Sequence, residues 1–190
     1  MDEMKREEQG SYVGRVTIDD DPVNPRKEYD CFGKMVCLHS RYDLGDEKLN
    51  REYRNVSRWE LEERLKADFD IAVLLPIHLY DHSGLTINTT GFACPWDSGQ
   101  IGFIFATKED VRKEFGEKIT KAALEKAEKI LLGEVETYDQ YLQGEIYCYD
   151  IEKNGETIDS LCGMFGLEYA EQQMREALDH WATTASNVEK

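Results

Sequence analysis

Short apolar runs bounded by turn-forming residues predict strands through the first half of the chain. Strand periodicity covers Ser11–Ile18 and Lys34–His39, with a polar loop between them. The run Ile71–Tyr80 is almost continuously apolar, which predicts a central strand buried on both faces. Thr86–Thr90 and Ile101–Thr107 have the composition of its neighbours. Together these segments predict the middle of a sheet.

Helical spacing separates and follows these strands. Ser57 with Glu60 three residues later predicts a capping box at the start of a helix that ends near Phe69. A short helix is predicted over Glu109–Glu114, and a last one over Glu168–Ala182. A long helix begins near Thr120, because one apolar stripe recurs at spacings of three and four through Ala123, Ala127, Ile130, Leu131, Val135, Tyr138 and Leu142.

A β-hairpin is the clearest local prediction in the second half. Glu145–Ile151 and Glu156–Phe165 flank Asn154-Gly155, a pair that suits a type I′ turn. No strand-helix-strand unit repeats, so we expect an α+β fold in one domain over residues 1–190, with 1–10 flexible. Its mainly antiparallel sheet has about six or seven strands, packed with one long helix, a C-terminal helix and shorter helices.

Charge narrows the choice of partners. The chain has a net charge of −16 and a pI near 4.7, which argues against direct contact with nucleic acid, since phosphates need clustered Lys and Arg. The charged stretch Arg41–Asn55 is predicted as an exposed loop. No apolar run reaches the roughly 20 residues of a membrane span, and Met1–Glu8 lacks a signal-peptide core. We expect a cytoplasmic protein with no membrane partner.

The cysteines predict reduced thiols. Their number is five and they contain no CxxC pair, so neither a disulfide framework nor a structural zinc site is expected. Cys148 and Cys162 lie in strand-like runs, where a buried thiol acts as a small hydrophobic residue. The chain also lacks a glycine-rich phosphate loop and an HExxH helix, so we predict no metal and no cofactor.

The segment from Ile71 to Thr107 holds only two formally charged residues, although a third of the chain is charged. Both lie in polar clusters, which need hydrogen-bond partners if they are buried. One cluster follows the apolar strand, and the other contains Cys94-Pro95 and a large indole. The predicted ligand-binding residues are Tyr80, Asp81, His82, Ser83, Trp96, Asp97, Ser98 and Gln100.

Catalysis by these clusters has His82, Cys94 and Asp97 as its candidates. A thiolate beside an imidazole forms an activated nucleophile, so Cys94 would need His82 close to it. The alternative is that Asp81 and Ser83 stabilise a turn, His82 makes one structural hydrogen bond and Cys94 is a packed thiol. No known hydrolase motif surrounds Cys94, and the sequence favours a binding protein over an enzyme.

The same residues carry a family resemblance. The run Tyr80-Asp-His-Ser-Gly-Leu-Thr-Ile-Asn-Thr-Thr-Gly-Phe-Ala-Cys-Pro-Trp-Asp-Ser-Gly-Gln-Ile-Gly-Phe resembles a signature of proteins without an assigned reaction that phages, plasmids and prokaryotic genomes carry. The resemblance extends to Met35–His39, Arg41–Asp46 and Glu134–Tyr147, and covers most of residues 30–165. The resemblance implies a mobile-element setting, in the cytoplasm of a prokaryotic host cell, and no particular activity.

In that setting the acidic surface acquires a possible role. Acidic proteins of phages often resemble inhibitors of CRISPR or restriction systems, and carboxylates can occupy a basic nucleic-acid groove. We therefore expect a counter-defence inhibitor whose partner is a host protein with a basic surface, such as a nucleic-acid enzyme. A solvated face and self-association remain open. The residues predicted to contact the partner are Glu134, Glu136, Asp139, Glu145, Asp150 and Glu152.

The alternative function is a small-ligand or nucleotide-binding protein, or a hydrolase, built on the two polar clusters. His39 can join those clusters, Trp96 and Tyr80 can stack on a base, and Arg41 and Arg58 are the nearest anion ligands in sequence. Mutating the clusters and mutating the acidic surface separately distinguishes the two functions.

Overall fold

The structure is a computed structural model that describes residues 3–188. Within these residues, eight antiparallel strands form two four-stranded sheets, accompanied by six helices, so the predicted α+β class is confirmed. In chain order the elements are β1 (Glu3–Gln9), β2 (Tyr12–Ile18), α1 (Pro25–Glu28), β3 (Lys34–Cys37), α2 (Glu47–Tyr53), α3 (Arg58–Asp68), β4 (Ile71–Asp81), β5 (Leu85–Asn88), β6 (Ser98–Thr107), α4 (Lys108–Phe115), α5 (Lys121–Gln143), β7 (Ile146–Lys153), β8 (Glu156–Phe165) and α6 (Leu167–Val188).

The chain divides into two compact units. The terminal unit contains Met1–Val23 and Gln143–Lys190, and the central unit is Asn24–Leu142. The terminal unit holds sheet A, with strand order β1-β2-β7-β8. The central unit holds sheet B, with strand order β3-β6-β4-β5. The strand count exceeds the predicted six or seven, and the strands form two sheets instead of one.

In the terminal unit, α6 packs on sheet A through a small apolar core. Met174 and Ala170 are fully buried against Val16 and Ile151. The predicted hairpin is confirmed, because Asn154 and Gly155 join β7 to β8 with φ angles of 55° and 85°. Residues 1–10 were expected to be flexible, but residues 3–9 form edge strand β1, paired along β2. Residues 1 and 2 lie outside the described residues.

Cys148 and Cys162 correct the expectation of reduced thiols. They form a disulfide that joins β7 to β8, with Cα atoms 4.0 Å apart. Cys148 is buried, but Cys162 is exposed. Two small residues on facing strands can form this bond only if the hairpin register places them opposite each other. Strand composition alone did not indicate that register.

In the central unit, sheet B is covered on both faces. The stripe of α5 packs on one face, where Leu131, Val135 and Tyr138 meet Met35 and Ile77. Helices α2 and α3 cover the other face through Tyr53, Leu61 and Leu65, which pack on Val36, Phe103 and Phe105. Strands β6 and β4 occupy the middle of this sheet, as their apolar sequences predict. The expected burial of β4 on both faces is only partly met, because Ile77 and Leu79 are buried and its other residues are half-buried.

A close approach of β3 to β6 depends on Gly102. A Cβ atom at this position would lie 1.8 Å from the carbonyl oxygen of Val36, far inside van der Waals contact. Next to it, the register between β4 and β6 shifts at Ile77 and His78, so β6 contains a bulge at Ile101. The bulge turns the start of β6 at the edge of the sheet where β4 ends.

A buried arginine ties together the segments around α1 and α2. Arg26 is 2% exposed and donates to Asp46 at 2.7 and 2.9 Å and to Glu134 at 2.9 Å. It also donates to the carbonyl oxygen of Gly33 at 2.8 Å.

Residues 41–55 were expected to be a loop, but they contain α2, whose Tyr53 is buried. Across residues 3–188, the helices are all too short or too polar to span a membrane.

Candidate functional site

The candidate site is a cleft in the central unit. It lies at the end of sheet B where β4 terminates and β6 begins. β4 ends at Asp81 and its antiparallel neighbour β6 begins at Ser98, so both polar clusters reach the same edge. The backbone N–H of Asp81 donates to the carbonyl oxygen of Asp97 at 2.8 Å. The segment after β3 and the first turn of α3 complete the walls. The cleft has a volume of about 220 Å³, and its polar and aromatic walls are His39, Arg41, Arg58, Asp81, Trp96, Asp97 and Ser98.

Asp81 holds Arg41, one of the two arginines that line the cleft. Its carboxylate forms an ion pair with Arg41 and accepts from the hydroxyl of Tyr42 at 3.1 and 3.2 Å. The Tyr42 ring in turn stacks on His39, with centroids 5.0 Å apart and planes 6° from parallel. Arg41 also lies over the Tyr42 ring, at 5.4 Å from its centroid. This set of contacts holds the three side chains after β3 in one orientation.

Arg58 is the second cation of the cleft, and its charge is not neutralised by an ion pair within residues 3–188. Its charge acts on His39. Partial burial, followed by the positive charges of Arg58 and Arg41, lowers the pKa of His39 from 6.5, while Asp81 opposes the shift. His39 is therefore neutral near pH 7. Its Nδ1 atom accepts a hydrogen bond from the backbone N–H of Arg41 at 3.3 Å, so the proton lies on Nε2, which can donate one hydrogen bond.

Trp96 stands at the rim of the cleft with its ring in solvent. It is 92% exposed, although an indole of this size is usually well buried. The preceding Pro95 restricts the backbone, and the hydroxyl of Ser98 donates to the carbonyl oxygen of Cys94 across the same turn. An exposed aromatic ring on a braced turn is suited to contact with a flat ligand.

Asp97 lies between the two remaining catalytic candidates. Its Oδ2 atom is 3.3 Å from Nδ1 of His82 and 3.9 Å from Sγ of Cys94. The residue beside the thiol is therefore a carboxylate. An imidazole-activated nucleophile requires a direct contact between Cys94 and a histidine, and Cys94 makes none within the described part of the chain. The geometry instead orients His82 through Asp97.

The structure brings some predicted ligand residues together and separates others. Asp81, Trp96, Asp97 and Ser98 line the cleft. Tyr80 and His82 lie outside its lining and stack on each other, with ring centroids 5.9 Å apart. The ring of Phe92 also stacks on Tyr80, with centroids 5.5 Å apart. Ser83 has a φ of 59°, which fits its turn-forming interpretation.

Gln100 and Trp59 belong to a neighbouring depression of about 240 Å³. Gln100 was predicted as a ligand residue, and its side-chain amide donates to the carbonyl oxygen of Gly102 at 3.4 Å. Trp59 was missed by the sequence analysis, although it is 93% exposed. The sequence does indicate this exposure, because Trp59 lies two residues before Leu61 and is therefore not on the buried face of the helix that Leu61 and Leu65 form.

The six predicted partner-binding carboxylates have different environments. Glu134 pairs with Arg26 and accepts from the backbone N–H of Phe32 at 2.6 Å. Asp139 accepts from the hydroxyl of Thr86 and the backbone N–H of Ile87, both at 2.7 Å. These two residues stabilise the central unit internally, while Glu136 on the same helix is exposed.

The other three carboxylates lie in the terminal unit. Glu152 forms an ion pair with Arg15. Asp150 is half-buried, and burial together with the charge of Glu152 raises its pKa from 3.8, while Arg15 opposes the shift. Glu145 is exposed just before β7. Internal contacts thus occupy part of the predicted acidic surface.

Within residues 3–188, one group has atoms close enough to hold a metal ion, namely Asp19, Cys148 and Cys162. Two of its members are joined as a disulfide, which removes their thiolates as ligands. The cleft residues do not belong to this group.

Comparison with protein families, with curated proteins and with solved structures finds nothing that matches this chain. The resemblance to phage and plasmid proteins therefore stays a prediction.

Proposed function

We propose that the cleft binds a small anionic ligand that carries an aromatic ring, such as a nucleotide. The observation that carries this proposal is the presence of Arg58, without an ion pair in the described chain, in the same cleft as the exposed ring of Trp96. An arginine suits a phosphate, and an exposed indole suits a base. Both occur at one sheet edge of a chain whose net charge is −16.

The phosphate would lie between the cationic side chains. Arg58 offers a planar set of N–H donors, and Arg41 is held in place by Asp81, which reduces the conformational entropy lost on binding. Neutral His39 adds one hydrogen bond without a charge. Asp81 and Asp97 limit the positive potential, so a ligand with one or two negative charges fits better than a more highly charged one.

The base would stack on Trp96 at the rim. Stacking of one base on an aromatic side chain contributes about 1–3 kcal/mol. A cleft of about 220 Å³ is smaller than most pockets that enclose a whole ligand. It can surround a phosphate and ribose while the base remains against the exposed indole. The strongly acidic chain disfavours a long polyanion, which also supports a small ligand.

Isothermal titration calorimetry with purine and pyrimidine nucleoside monophosphates tests this function. Arg58→Gln and Trp96→Ala should each weaken binding at least about fivefold, the lower limit for one lost stack or charged contact. Arg64→Gln is the matched control, because Arg64 lies on the same helix but pairs with Asp68. Absence of nucleotide binding by the wild type, or equal effects of all three variants, would contradict the proposal.

The counter-defence hypothesis makes the opposite prediction. Charge reversal at the exposed Glu136 and Glu145 should abolish binding to a basic host protein and leave nucleotide binding unchanged. Glu134 and Asp139 are unsuitable probes, since their replacement disturbs internal hydrogen bonds. This hypothesis has fewer available carboxylates than the sequence suggests, and for that reason the nucleotide ligand is the function that we favour.

A further inference from the structure

We propose that the ligand has two bases, and that a second base binds in the depression beside Trp59. This inference rests on the proposed function, because it places the phosphate at Arg58. The neighbouring depression and the cleft share Arg58, Gly99 and Ile101, so the two hollows meet at the same cation. A ligand that spans both is a dinucleotide with its phosphodiester group at Arg58.

The lining of the second hollow fits a base better than a second phosphate. Its floor contains Leu61, Ile101 and Phe103, all buried apolar side chains. Apart from Arg58, none of the described residues that line it is charged. A phosphate would lose its hydration there without gaining a cation of its own, whereas a flat aromatic ring would bury apolar surface.

The two exposed indoles supply one stacking surface for each hollow. Trp59 lines the second hollow and Trp96 lines the cleft, and they are 93% and 92% exposed. Neither indole contributes to the core of the central unit. Single-stranded nucleotides are commonly held in this way, by aromatic rings that stack on successive bases and by a cation at the phosphate between them.

Gln100 is the residue whose hydrogen bonds would distinguish one second base from another. Its side-chain amide lies in this hollow and already donates to the carbonyl oxygen of Gly102. The remaining amide hydrogen and the side-chain oxygen can bond the edge of a base, as glutamine does with adenine. Gly99 exposes its backbone at the border and adds no side chain that would separate the two hollows.

The test compares two ligands of equal charge by calorimetry. Diadenosine monophosphate (ApA) has two bases and one phosphodiester, and the methyl ester of adenosine 5′-monophosphate has one base and the same single charge. We expect wild-type protein to bind ApA about 5- to 150-fold more tightly, the range for one additional stack. Trp59→Ala should remove this gain and change the affinity for the ester less than about twofold.

Two controls make the result specific. Trp96→Ala should weaken both ligands, and Tyr169→Ala, which removes an exposed aromatic ring on α6, should affect neither. Equal affinity of the wild type for ApA and the ester would overturn the second subsite and leave the proposed function intact. If neither ApA nor the ester binds, the second subsite is overturned, and if the nucleoside monophosphates also fail to bind, the proposed function is overturned with it. A longer oligoadenylate that binds more than about tenfold tighter than ApA would also overturn the dinucleotide.

Discussion

Replacing Arg26 with methionine should destabilise the central unit strongly. Arg26 is 2% exposed, and its removal leaves the carboxylates of Asp46 and Glu134, which are 23% and 16% exposed, without their cation. Breaking a buried ion pair on one side typically destabilises a protein by about 3–5 kcal/mol. For a chain of this size that loss corresponds to a decrease of about 6–20 °C in the melting temperature.

Thermal and urea unfolding followed by circular dichroism measure this change. Arg64→Met is the matched control, because Arg64 forms an exposed pair with Asp68 on one helix, and such pairs contribute about 0.3–0.5 kcal/mol. The triple variant Arg26→Met, Asp46→Asn, Glu134→Gln should recover part of the loss, since no charge is then left without a partner. The reasoning is refuted if Arg26→Met lies within about 1 kcal/mol of the wild type, or if the triple variant is less stable still.

Three further predictions concern the disulfide, His39 and Gly102. Under denaturing, non-reducing conditions alkylation should modify three thiols, and reduction of Cys148–Cys162 should lower unfolding stability by about 3 kcal/mol for a loop of this length; five modified thiols would contradict this. The folded pKa of His39 is below 6.5, so the unfolded state binds more protons, and stability should fall as the pH drops from about 7 through the folded pKa. An NMR titration that finds the His39 pKa at or above about 6.5 would contradict the cause assigned to it. Gly102→Ala should reduce stability by about 3 kcal/mol or more, because its Cβ meets the Val36 carbonyl oxygen, and an unchanged urea midpoint would refute the close approach.

Local pattern was sufficient for most elements of the fold. The stripe of α5, the apolar run of β4 and the Asn154-Gly155 turn all specify structure through neighbouring residues, and each is confirmed. Helix α2 was missed because it carries few apolar positions, and Tyr53 stabilises it by packing on sheet B. The division into two sheets could not be predicted either, since β2 pairs with β7 across more than a hundred residues of chain.

The disulfide shows why register limits such predictions. The turn pairs Lys153 with Glu156, and an uninterrupted hairpin would then place Cys148 opposite Leu161. A bulge at Ile158 adds one residue to β8, so that Tyr149 faces Leu161 and the two cysteines become neighbours. One irregular residue decides the pairing, and its sequence contains no signal that distinguishes it from regular strand.

The candidate site was predictable in part for a similar reason. Asp81 and Asp97 lie at adjacent ends of antiparallel neighbours, so a sheet pattern is enough to bring them together. Trp59 required knowledge of how α3 lies against β6, which only the packing of Leu61 and Leu65 determines. Its exposure was the overlooked feature, because an off-stripe indole had no role in the helix itself.

The connection from β2 to β7 contains the whole central unit. β1, β2, β7 and β8 are successive neighbours in sheet A, so the terminal unit is an up-and-down meander with the central unit spliced into one of its turns. The strand ends at the splice are adjacent, because the backbone N–H of Asp19 donates to the carbonyl oxygen of Ile146 at 2.8 Å. The central unit therefore interrupts the sequence of the terminal unit without interrupting any of its strand pairs, an arrangement that compact units with adjacent chain ends tolerate.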